Sequence, residues 1–408
     1  GQGTVLGSNQ SADQSQLISA LDSTAAAYVA DSTIAGAAVA VVYQSEYLLL
    51  QGYGMADLEF HVPMPADGIF EVASITKQFT AAAILQLVER GLVELDADIT
   101  DYLPDYNTQG HHVTVRQLLY HTSGIQEVSN MPDFFTYLFS PQDLPRDTLF
   151  SLIETEPFRF VPGTAMSYCN TGYIFLGHII EQASGQSYES YLAEHLLQPA
   201  GMQDSHYCNE QAVVKRKVHG YGWNSEDEAL RHKVFQNHTW PFAAGSLCST
   251  APDLVAWNRA LHSGEILSDS LYQVMITPGQ LSDGTTLRYA MGLMVYKQSG
   301  VPVFRHSGGG PGFVSDSRIY PHDDLIIVVL QNTYGSGRAR SLADSLAQLI
   351  IRPGTTTVNE SYEGELSEFT GRYVGPGKWG AIIRDFRIEA IGDNLVVTST
   401  GSEAKDTL

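Results

Sequence analysis

Three short motifs contain side-chain types that could carry out nucleophilic catalysis together. In the first, Ser74-Ile75-Thr76-Lys77, a hydroxyl and an amine stand three residues apart and so share one face of a predicted helix. A serine becomes a good nucleophile when a base takes its proton, and a lysine in apolar surroundings can be that base because burial disfavours its charge. Backbone N–H groups at the start of this helix could also bind an oxyanion. Taken alone, the motif is a weak signal, and a helix that begins with a capping serine explains it better.

The second motif, Tyr168-Cys169-Asn170, follows the turn residues Pro162-Gly163 and precedes a predicted helix that begins near Gly172, which places it on a loop. A phenol near a lysine loses its proton more easily and can shuttle protons to a leaving group. An asparagine amide can fix both the lysine and a substrate carbonyl. Without the other motifs, a packed tyrosine beside an asparagine in a turn explains the same residues.

The third motif is His306-Ser307-Gly308-Gly309-Gly310, at the end of a predicted strand. Glycines let a substrate backbone approach closely and leave N–H groups available for an oxyanion. The alternative is a glycine-rich turn preceded by a structural histidine. The motif therefore gains its weight from the other two.

The elements that must position these motifs form helices and strands in an order typical of an α+β protein. Apolar spacing predicts a first helix, then a strand meander, an almost wholly apolar helix after Ser74, and three strands followed by a last helix. The predicted helices are Ser15–Val29, Ser74–Arg90, Tyr173–Ala183 and Arg338–Ile351, and the predicted strands are Ala37–Tyr43, Tyr47–Gln51, Gly54–Phe60, Val303–His306, Phe313–Tyr320 and Leu325–Gln331.

The same patterns divide the chain into one large domain with a small appendage. We expect a flexible N-terminus over residues 1–13, a catalytic domain over 14–352 with a helical lobe at roughly 92–260, a linker over 353–362 and a small β appendage over 363–408. The chain starts without a basic, apolar leader, so either the protein is cytosolic or a signal peptide has been removed. The polar first residues favour a mature N-terminus.

The net charge argues against nucleic-acid binding, and the hydropathy argues against a membrane span. The formal net charge of -22 repels phosphate backbones, so we expect no nucleic-acid partner. The longest apolar runs are far shorter than the roughly 20 residues that span a bilayer. Small molecules or peptides remain as substrates, and the sequence leaves the oligomeric state open.

The cysteines predict neither a metal site nor a disulfide framework. Cys169, Cys208 and Cys248 are too widely spaced for a zinc ribbon, and no Cys-x-x-Cys or His-x-x-x-His pair accompanies them. We expect no metal and no cofactor. Any one of three single disulfides is possible, and buried, inert thiols are the favoured interpretation.

As an ordered set, Ser74-x-x-Lys77, Tyr168-x-Asn170 and His306-x-Gly308 resemble the three signatures of serine β-lactamases of class C and penicillin-binding-protein-like hydrolases. The segments 115–124, 243–250 and 306–313 are similar too, and the resemblance runs from about residue 14 to 351. It implies a β-lactamase/transpeptidase-like fold, in which a mixed antiparallel sheet is flanked by helices beside an all-helical lobe. It also implies secretion or a periplasmic location, and the tail from about Glu363 resembles a short or truncated lipocalin-like domain.

The resemblance also implies roles for the motif residues. Ser74 would be the nucleophile, Lys77 and Tyr168 would share the general base and acid roles, and Asn170 would orient Lys77 and the substrate amide. The N–H groups of Ser74 and Gly309 would form the oxyanion hole.

One departure bears on the substrate. In class C β-lactamases the third motif is typically Lys-Thr-Gly, whose lysine helps to hold the substrate carboxylate, whereas this chain has His306-Ser307-Gly308. A histidine is only partly protonated near neutrality, so binding of a β-lactam carboxylate should weaken. Histidine at this position is similar to D-aminopeptidase-like members and to some β-lactamase-fold esterases.

We therefore expect a serine hydrolase that forms a Ser74 acyl-enzyme with peptides, amides or esters, and favour a D-amino-acid peptidase. The alternatives are a carboxylesterase, a weak β-lactamase and a penicillin-binding sensor that is acylated without turnover. A Ser-His-Asp hydrolase is disfavoured because no Gly-x-Ser-x-Gly motif leads from a strand to a helix.

Overall fold

The structure is a computed structural model. It describes residues 7–131, 133–141, 145, 148–335, 339–351, 371–376, 383–391, 394–399 and 405–407, and it describes side chains only between residues 14 and 351.

Helices occupy both ends and the middle of the large domain. In chain order they are α1 Gly7–Val29, α2 Thr76–Glu89, α3 Val115–Leu119, α4 Phe134–Leu138, α5 Thr148–Ile153, α6 Asn170–Ser184, α7 Tyr188–Leu192, α8 Phe242–Gly245, α9 Ala251–His262, α10 Asp269–Ile276 and α11 Ala339–Ile350. Short 3₁₀ turns cover Ala73–Ile75, Ile99–Asp101 and Val128–Asn130, and a π turn covers Ala193–Leu197.

The strands cluster near the two ends of the chain, with short ones between. They are β1 Gly36–Tyr43, β2 Glu46–Asp57, β3 Val62–Pro63, β4 Phe70–Glu71, β5 His206–Tyr207, β6 Tyr221–Asn224, β7 Ala229–His232, β8 Leu247–Ser249, β9 Met294–Gln298, β10 Val301–Gly310, β11 Phe313–Tyr320, β12 Leu325–Gln331, β13 Thr333–Tyr334, β14 Gly371–Pro376, β15 Ile383–Ile391, β16 Asn394–Ser399 and β17 Lys405–Thr407.

A seven-stranded antiparallel sheet is the centre of the fold. Its order is β3-β2-β1-β12-β11-β10-β9. Strand β1 lies between β2 and β12, and Val39 of β1 pairs with Val329 of β12. Early and late parts of the chain thus share one sheet, which brings the glycine-rich end of β10 near the turn that carries Ser74.

Each central strand supplies two apolar cores because successive side chains point to opposite faces of a sheet. In β1, Ala38, Ala40 and Val42 pack in the cluster that contains α2, whereas Val39 and Val41 pack in the cluster that contains α1 and α11. Strand β12 alternates in the same way. The predicted α+β fold, a sheet flanked by helices, is confirmed.

Helix α2 is buried on almost every side, as its apolar sequence predicts. Two residues of α2 contact Trp257 of α9. The ring of Phe79 stacks on Trp257 with centroids 3.9 Å apart, and Trp257 Nε1 donates to Gln78 Oε1 at 2.9 Å. The predicted start differs: α2 begins at Thr76, and Ser74 lies in the preceding 3₁₀ turn. A rigid helix therefore holds Lys77, while a tighter turn presents Ser74.

Several boundaries differ from the sequence predictions. Helix α1 begins at Gly7, earlier than expected, and α6 begins at Asn170. The strand predicted at Tyr47–Gln51 and the first four residues of the strand predicted at Gly54–Phe60 both belong to β2, which ends at Asp57. The segment predicted to be a helical lobe carries α3 to α8 and most of α9, but also the short strands β5 to β8. Pairing through hydrogen bonds, rather than apolar periodicity, defines such two- to four-residue strands, so the pattern gives no signal for them.

The C-terminal strands β14 to β17 form a separate four-stranded antiparallel sheet in chain order. The predicted linker over residues 353–362 and the first six residues lie outside the described residues. The proposed domain boundaries and the lipocalin-like character of the appendage stay predictions.

Among the described helices, none combines the length and the apolar character that a membrane crossing requires.

The expectation that the cysteines are inert thiols is wrong for two of them. Cys208 and Cys248 form a disulfide with a Cα–Cα distance of 5.1 Å, and Cys169 is a buried free thiol. Strand pairing explains the bond, because β8 pairs with both β4 and β5 and so brings Cys248 beside the chain that leads to Cys208. Spacing along the sequence cannot reveal that pairing.

Loss of this disulfide should destabilise the protein. Replacing Cys208 and Cys248 together with serine should lower the free energy of unfolding by about 2 to 4 kcal/mol, since the bond closes a long loop. Urea unfolding of both proteins measures the difference. As a control, alkylation of the unfolded wild type without reductant should label only Cys169, and labelling of all three cysteines would contradict the pairing.

Candidate active site

Ser74 lies in a strained turn at the edge of a cavity. It is half-buried in the 3₁₀ turn Ala73–Ile75, and Ala73 immediately before it has φ of +48°, in the left-handed region. A non-glycine residue rarely adopts this conformation, and such strain concentrates at functional sites. This turn places Ser74 in the lining of the cavity.

Lys77 contacts Ser74 and two oxygen acceptors. Its Nζ lies 3.2 Å from Ser74 Oγ, 2.8 Å from Asn170 Oδ1 and 2.7 Å from the carbonyl oxygen of Ala244. A neutral amine can donate two hydrogen bonds and accept one. Asn170 Oδ1 and the Ala244 carbonyl can only accept, so the lone pair of a neutral Lys77 is left for the Ser74 hydroxyl proton.

Burial makes that neutral state accessible near pH 7. Lys77 is fully buried, and desolvation lowers its pKa to about 7, against the opposing charge of Glu127. Lys77 is thus buried beside Ser74, with polar atoms around its amine. Its role as a base stays a prediction.

Tyr168 borders the same pair. Lys77 Nζ lies 4.8 Å from the centroid of the Tyr168 ring. Burial raises the pKa of the Tyr168 hydroxyl well above its usual value, and a hydrogen bond with Ser74 opposes that rise. The tyrosine is therefore a neutral proton donor at neutral pH, and Lys77 is the group poised to accept a proton.

Asn170 begins α6 and is held by a residue that the sequence did not indicate. Its backbone N–H donates to Glu127 Oε2 at 2.5 Å, and its Nδ2 donates to Glu127 Oε1 at 3.1 Å. Glu127 is 2 % exposed. Because the amide N–H₂ faces Glu127, the amide oxygen must face Lys77. No motif spacing links positions 127 and 170, so only the fold reveals this pair.

The predicted glycine motif lies at the end of β10, against the Ser74 turn. A Cβ at Gly308 would stand 2.0 Å from the carbonyl oxygen of Val72, so only glycine permits this close approach. Gly309 lines the cavity with Ser74, and Ser307 is half-buried beside it in the strand. The glycines thus bring the strand to the nucleophile.

His306 differs from the expectation that it is partly protonated and meets the substrate. It is 1 % exposed, and its ring nitrogens lie 3.0 Å from Tyr289 Oη and 2.7 Å from the carbonyl oxygen of Ser307. Burial, with the nearby charge of Lys77, lowers its pKa to about 3. The imidazole is therefore neutral, and it is absent from the described lining of the cavity.

The cavity beside Ser74 has a volume of about 170 Å³ and a largely apolar lining. Among the described residues that form it, none carries a charged side chain. They are Ala73, Ser74, Val128, Ser129, Phe134, Leu138, Asn170, Ile174, Gln236, Trp240, Pro241, Ala244, Gly245, Gly309, Gly310 and Pro311. A larger cavity of about 400 Å³ shares Gln236 with it but does not include Ser74, so the smaller one is the candidate active site.

Two groups among the described side chains have the ligand types for a metal ion. The groups are Asp57 with Glu59 and His219, and Glu71 with Glu210 and His238. In the second group, Lys233 forms ion pairs with both carboxylates. Neither includes Ser74, Lys77 or Tyr168, and the expectation of no metal stays a prediction.

Comparison with known proteins places this arrangement in a family. The family model described as Beta-lactamase matches residues 21–350, which include all three motifs. The chain belongs to the beta-lactamase family. The resemblance inferred from the ordered motifs is thereby confirmed.

Curated proteins similar to this chain include a penicillin-binding protein and a D-aminopeptidase. Penicillin-binding protein 4* of Bacillus subtilis is 28% identical over 304 residues, covering 70% of this chain and 66% of that protein. The D-aminopeptidase of Gluconobacter oxydans is 27% identical over 306 residues, covering 75% and 57%. The chain thus spans less than two thirds of the length of these relatives.

Solved structures of a penicillin-binding protein homologue and of an amidohydrolase share the fold. The octameric penicillin-binding protein homologue from Pyrococcus abyssi matches with a TM-score of 0.72 at 26% identity, covering 96% of this chain and 89% of that one. The D-stereospecific amidohydrolase from a Streptomyces species matches with a TM-score of 0.71 at 26% identity, covering 80% and 97%.

The pH dependence of activity should report the Lys77–Glu127 pair. If neutral Lys77 is the active form, kcat/KM should rise with pH through an apparent pKa near 7. Glu127→Gln removes an anion that favours protonated Lys77, so the midpoint of this rise should move to lower pH. The measurement is the full pH profile of both proteins.

The control is Glu226→Gln, which removes an equal charge at an exposed position. Its profile should match the wild type. A midpoint that stays in place in Glu127→Gln, or moves to higher pH, would contradict the electrostatic link between Glu127 and Lys77.

Proposed function

We propose that this protein is a serine hydrolase that cleaves amides or esters through an acyl-enzyme on Ser74. The observation that supports this proposal most strongly is the contact between Lys77 Nζ and Ser74 Oγ. The two other hydrogen-bond partners of Nζ can only accept, and burial lowers the pKa of the amine to about 7. This arrangement supplies a base for the serine proton at neutral pH.

In the first half-reaction, neutral Lys77 takes the proton of Ser74 while Oγ attacks the substrate carbonyl carbon. The negative charge passes to the carbonyl oxygen, where the N–H groups of Ser74 and Gly309 are proposed to bind it. As the C–N or C–O bond breaks, Tyr168 donates its proton to the leaving group and regains one from the Lys77 ammonium. Ser74 is left acylated and Lys77 neutral.

In the second half-reaction, water attacks the ester of Ser74. The water gives its proton to Lys77, directly or through Tyr168, and the proton returns to Ser74 Oγ as the acyl group leaves as a carboxylic acid. Asn170, fixed by Glu127, keeps Lys77 in place through both halves and is proposed to bind the substrate amide.

The favoured substrates are amides and peptides with a D-amino acid on the acyl side. Relatives named D-aminopeptidase and D-stereospecific amidohydrolase support this choice, as does an apolar cavity of a size that accepts one aliphatic or aromatic side chain. Phe134 and Trp240 supply the aromatic walls.

A carboxylesterase is the second candidate, since the uncharged cavity lining suits a neutral acyl group as well as an amino acid. Carboxypeptidase, β-lactamase and penicillin-sensor activities are less favoured. Each involves a substrate carboxylate, and neutral, buried His306 offers no positive charge for it.

A panel of three substrates separates these activities. We would compare kcat/KM for D-alanyl p-nitroanilide, p-nitrophenyl butyrate and a chromogenic cephalosporin, each also with Ser74→Ala. The proposal predicts that the wild type cleaves D-alanyl p-nitroanilide and that Ser74→Ala does not. Turnover of the ester alone would make the protein an esterase, and faster cephalosporin hydrolysis than either would reject the argument from His306.

A secreted or periplasmic location is proposed as well. The buried disulfide between Cys208 and Cys248 supports it, because such bonds persist mainly in oxidising compartments.

A further inference from the structure

His121 occupies a position in the fold that normally favours glycine. It follows α3, and it has φ of +60°. The N–H of His121 donates to the carbonyl oxygen of Leu118 at 3.2 Å, and the N–H of Thr122 donates to that of Gln117 at 2.8 Å. These two bonds define a Schellman motif, in which the residue at the position of His121 is usually glycine because a side chain disfavours the left-handed conformation.

The side chain that occupies this disfavoured position binds the second catalytic motif. His121 Nδ1 accepts the backbone N–H of Cys169 at 3.0 Å, and the His121 carbonyl oxygen accepts the N–H of Ser167 at 2.9 Å. Tyr168 therefore stands between two residues that are both tied to His121. Its ring also packs on the imidazole, with centroids 4.4 Å apart.

The protonation state of His121 suits this contact. A nitrogen that accepts a hydrogen bond carries no proton, so the neutral ring holds its proton on Nε2. The ring is 1 % exposed, and the rings of Tyr173 and Tyr289 lie 5.0 Å and 4.6 Å from it. Burial, together with the positive charge of Lys77, lowers the pKa of His121 well below its usual value, so Nδ1 stays an acceptor at neutral pH.

A helix cap alone does not explain a histidine here, because glycine would complete the same two backbone bonds without strain. The imidazole adds an acceptor directed at the Tyr168–Asn170 segment. We propose that His121 is a positioning residue that holds Tyr168 and Asn170 in register with Ser74 and Lys77. The expected effect on kinetics rests on the proposed function. The hydrogen bond between His121 and the Cys169 N–H does not depend on it.

The test compares His121→Asn with His121→Gly. Both variants lose the ring and both tolerate the left-handed conformation, but only asparagine keeps an acceptor, its Oδ1, near the place of Nδ1. We expect His121→Gly to lower kcat roughly 100-fold, since a small displacement of catalytic groups has an effect of this size. KM should change less than kcat, because most of the cavity lining, including Phe134 and Trp240, lies outside the Tyr168–Asn170 segment. His121→Asn should recover at least about a tenth of the wild-type kcat.

A second readout does not depend on turnover. Hydrogen exchange followed by mass spectrometry should show faster exchange in the peptide containing Cys169 for His121→Gly than for His121→Asn or the wild type. His262→Asn is the matched control, since its imidazole bonds Tyr272 at 2.6 Å instead of the Cys169 segment. It should leave both kcat and this exchange unchanged.

Equal kcat in the glycine and asparagine variants, or equal exchange in their Cys169 peptides, would overturn the inference. If the wild type shows no Ser74-dependent turnover, the proposed function fails by itself. The exchange comparison then still decides whether His121 holds the Cys169 segment.

Discussion

Ser74→Ala should lower kcat/KM by roughly four to six orders of magnitude on every substrate that the wild type cleaves, as removal of other serine nucleophiles does. The loss is large because Lys77 then has no hydroxyl to deprotonate and no covalent intermediate can form. Thermal unfolding should stay close to the wild type, since Ser74 is half-buried and alanine fits the 3₁₀ turn. Parallel kinetics and melting curves measure both effects.

Ser345→Ala is the matched control, because Ser345 lies exposed on α11 and its hydroxyl donates to the carbonyl oxygen of Ser341 at 3.1 Å. It should keep full activity. Residual activity of Ser74→Ala above about a hundredth of the wild type would mean that another group carries the reaction.

Lys77→Met should lower kcat by roughly 100- to 10,000-fold, the range for loss of a general base. Methionine fills much of the same buried space without an amine, so the serine keeps its place and loses its proton acceptor. The remaining activity should also lose the rise in kcat/KM near pH 7, because the group that titrates there is gone. The measurement is a pH profile of the variant at saturating substrate and at low substrate.

Lys215→Met serves as its control, since Lys215 is an exposed lysine of the same chain. Its profile should be that of the wild type. If Lys77→Met retained the rise near pH 7, the titrating group would be another residue and the assignment of the base would be wrong.

The parts of the site that follow from side-chain spacing were predictable. Ser74 and Lys77 stand three residues apart and are in contact, although Ser74 lies in the 3₁₀ turn that precedes α2. The order of the three motifs indicates the family and hence the approach of Tyr168, Asn170 and the β10 glycines. Local periodicity and family signatures carry this information because each motif is continuous in sequence.

The supporting contacts were not predictable from the sequence, because they join distant segments. Glu127 holds Asn170 across 43 positions, and His121 holds the Cys169 N–H across 48. Each depends on how α3, the loop after it and the start of α6 pack. Neither residue stands in a spacing that suggests its partner, although His121 lies in a segment that carries the family resemblance.

Burial explains the remaining differences. The sequence shows a histidine in the third motif but not that β10 encloses it, so partial protonation was expected where the structure has a neutral ring. The disulfide was missed for a related reason. Its partners meet through the pairing of β8 with β4 and β5, strands of two or three residues that leave no periodic signal.

Mass spectrometry of an acid-quenched reaction tests the Ser74 acyl-enzyme most directly. The wild type would be mixed with p-nitrophenyl butyrate or D-alanyl p-nitroanilide, quenched within the first turnovers and digested, with Ser74→Ala treated in parallel. We predict a mass increase equal to the acyl group on the peptide that contains Ser74, and none in the variant. Turnover without an adduct on that peptide, or an adduct on a different residue that persists in Ser74→Ala, would contradict the mechanism.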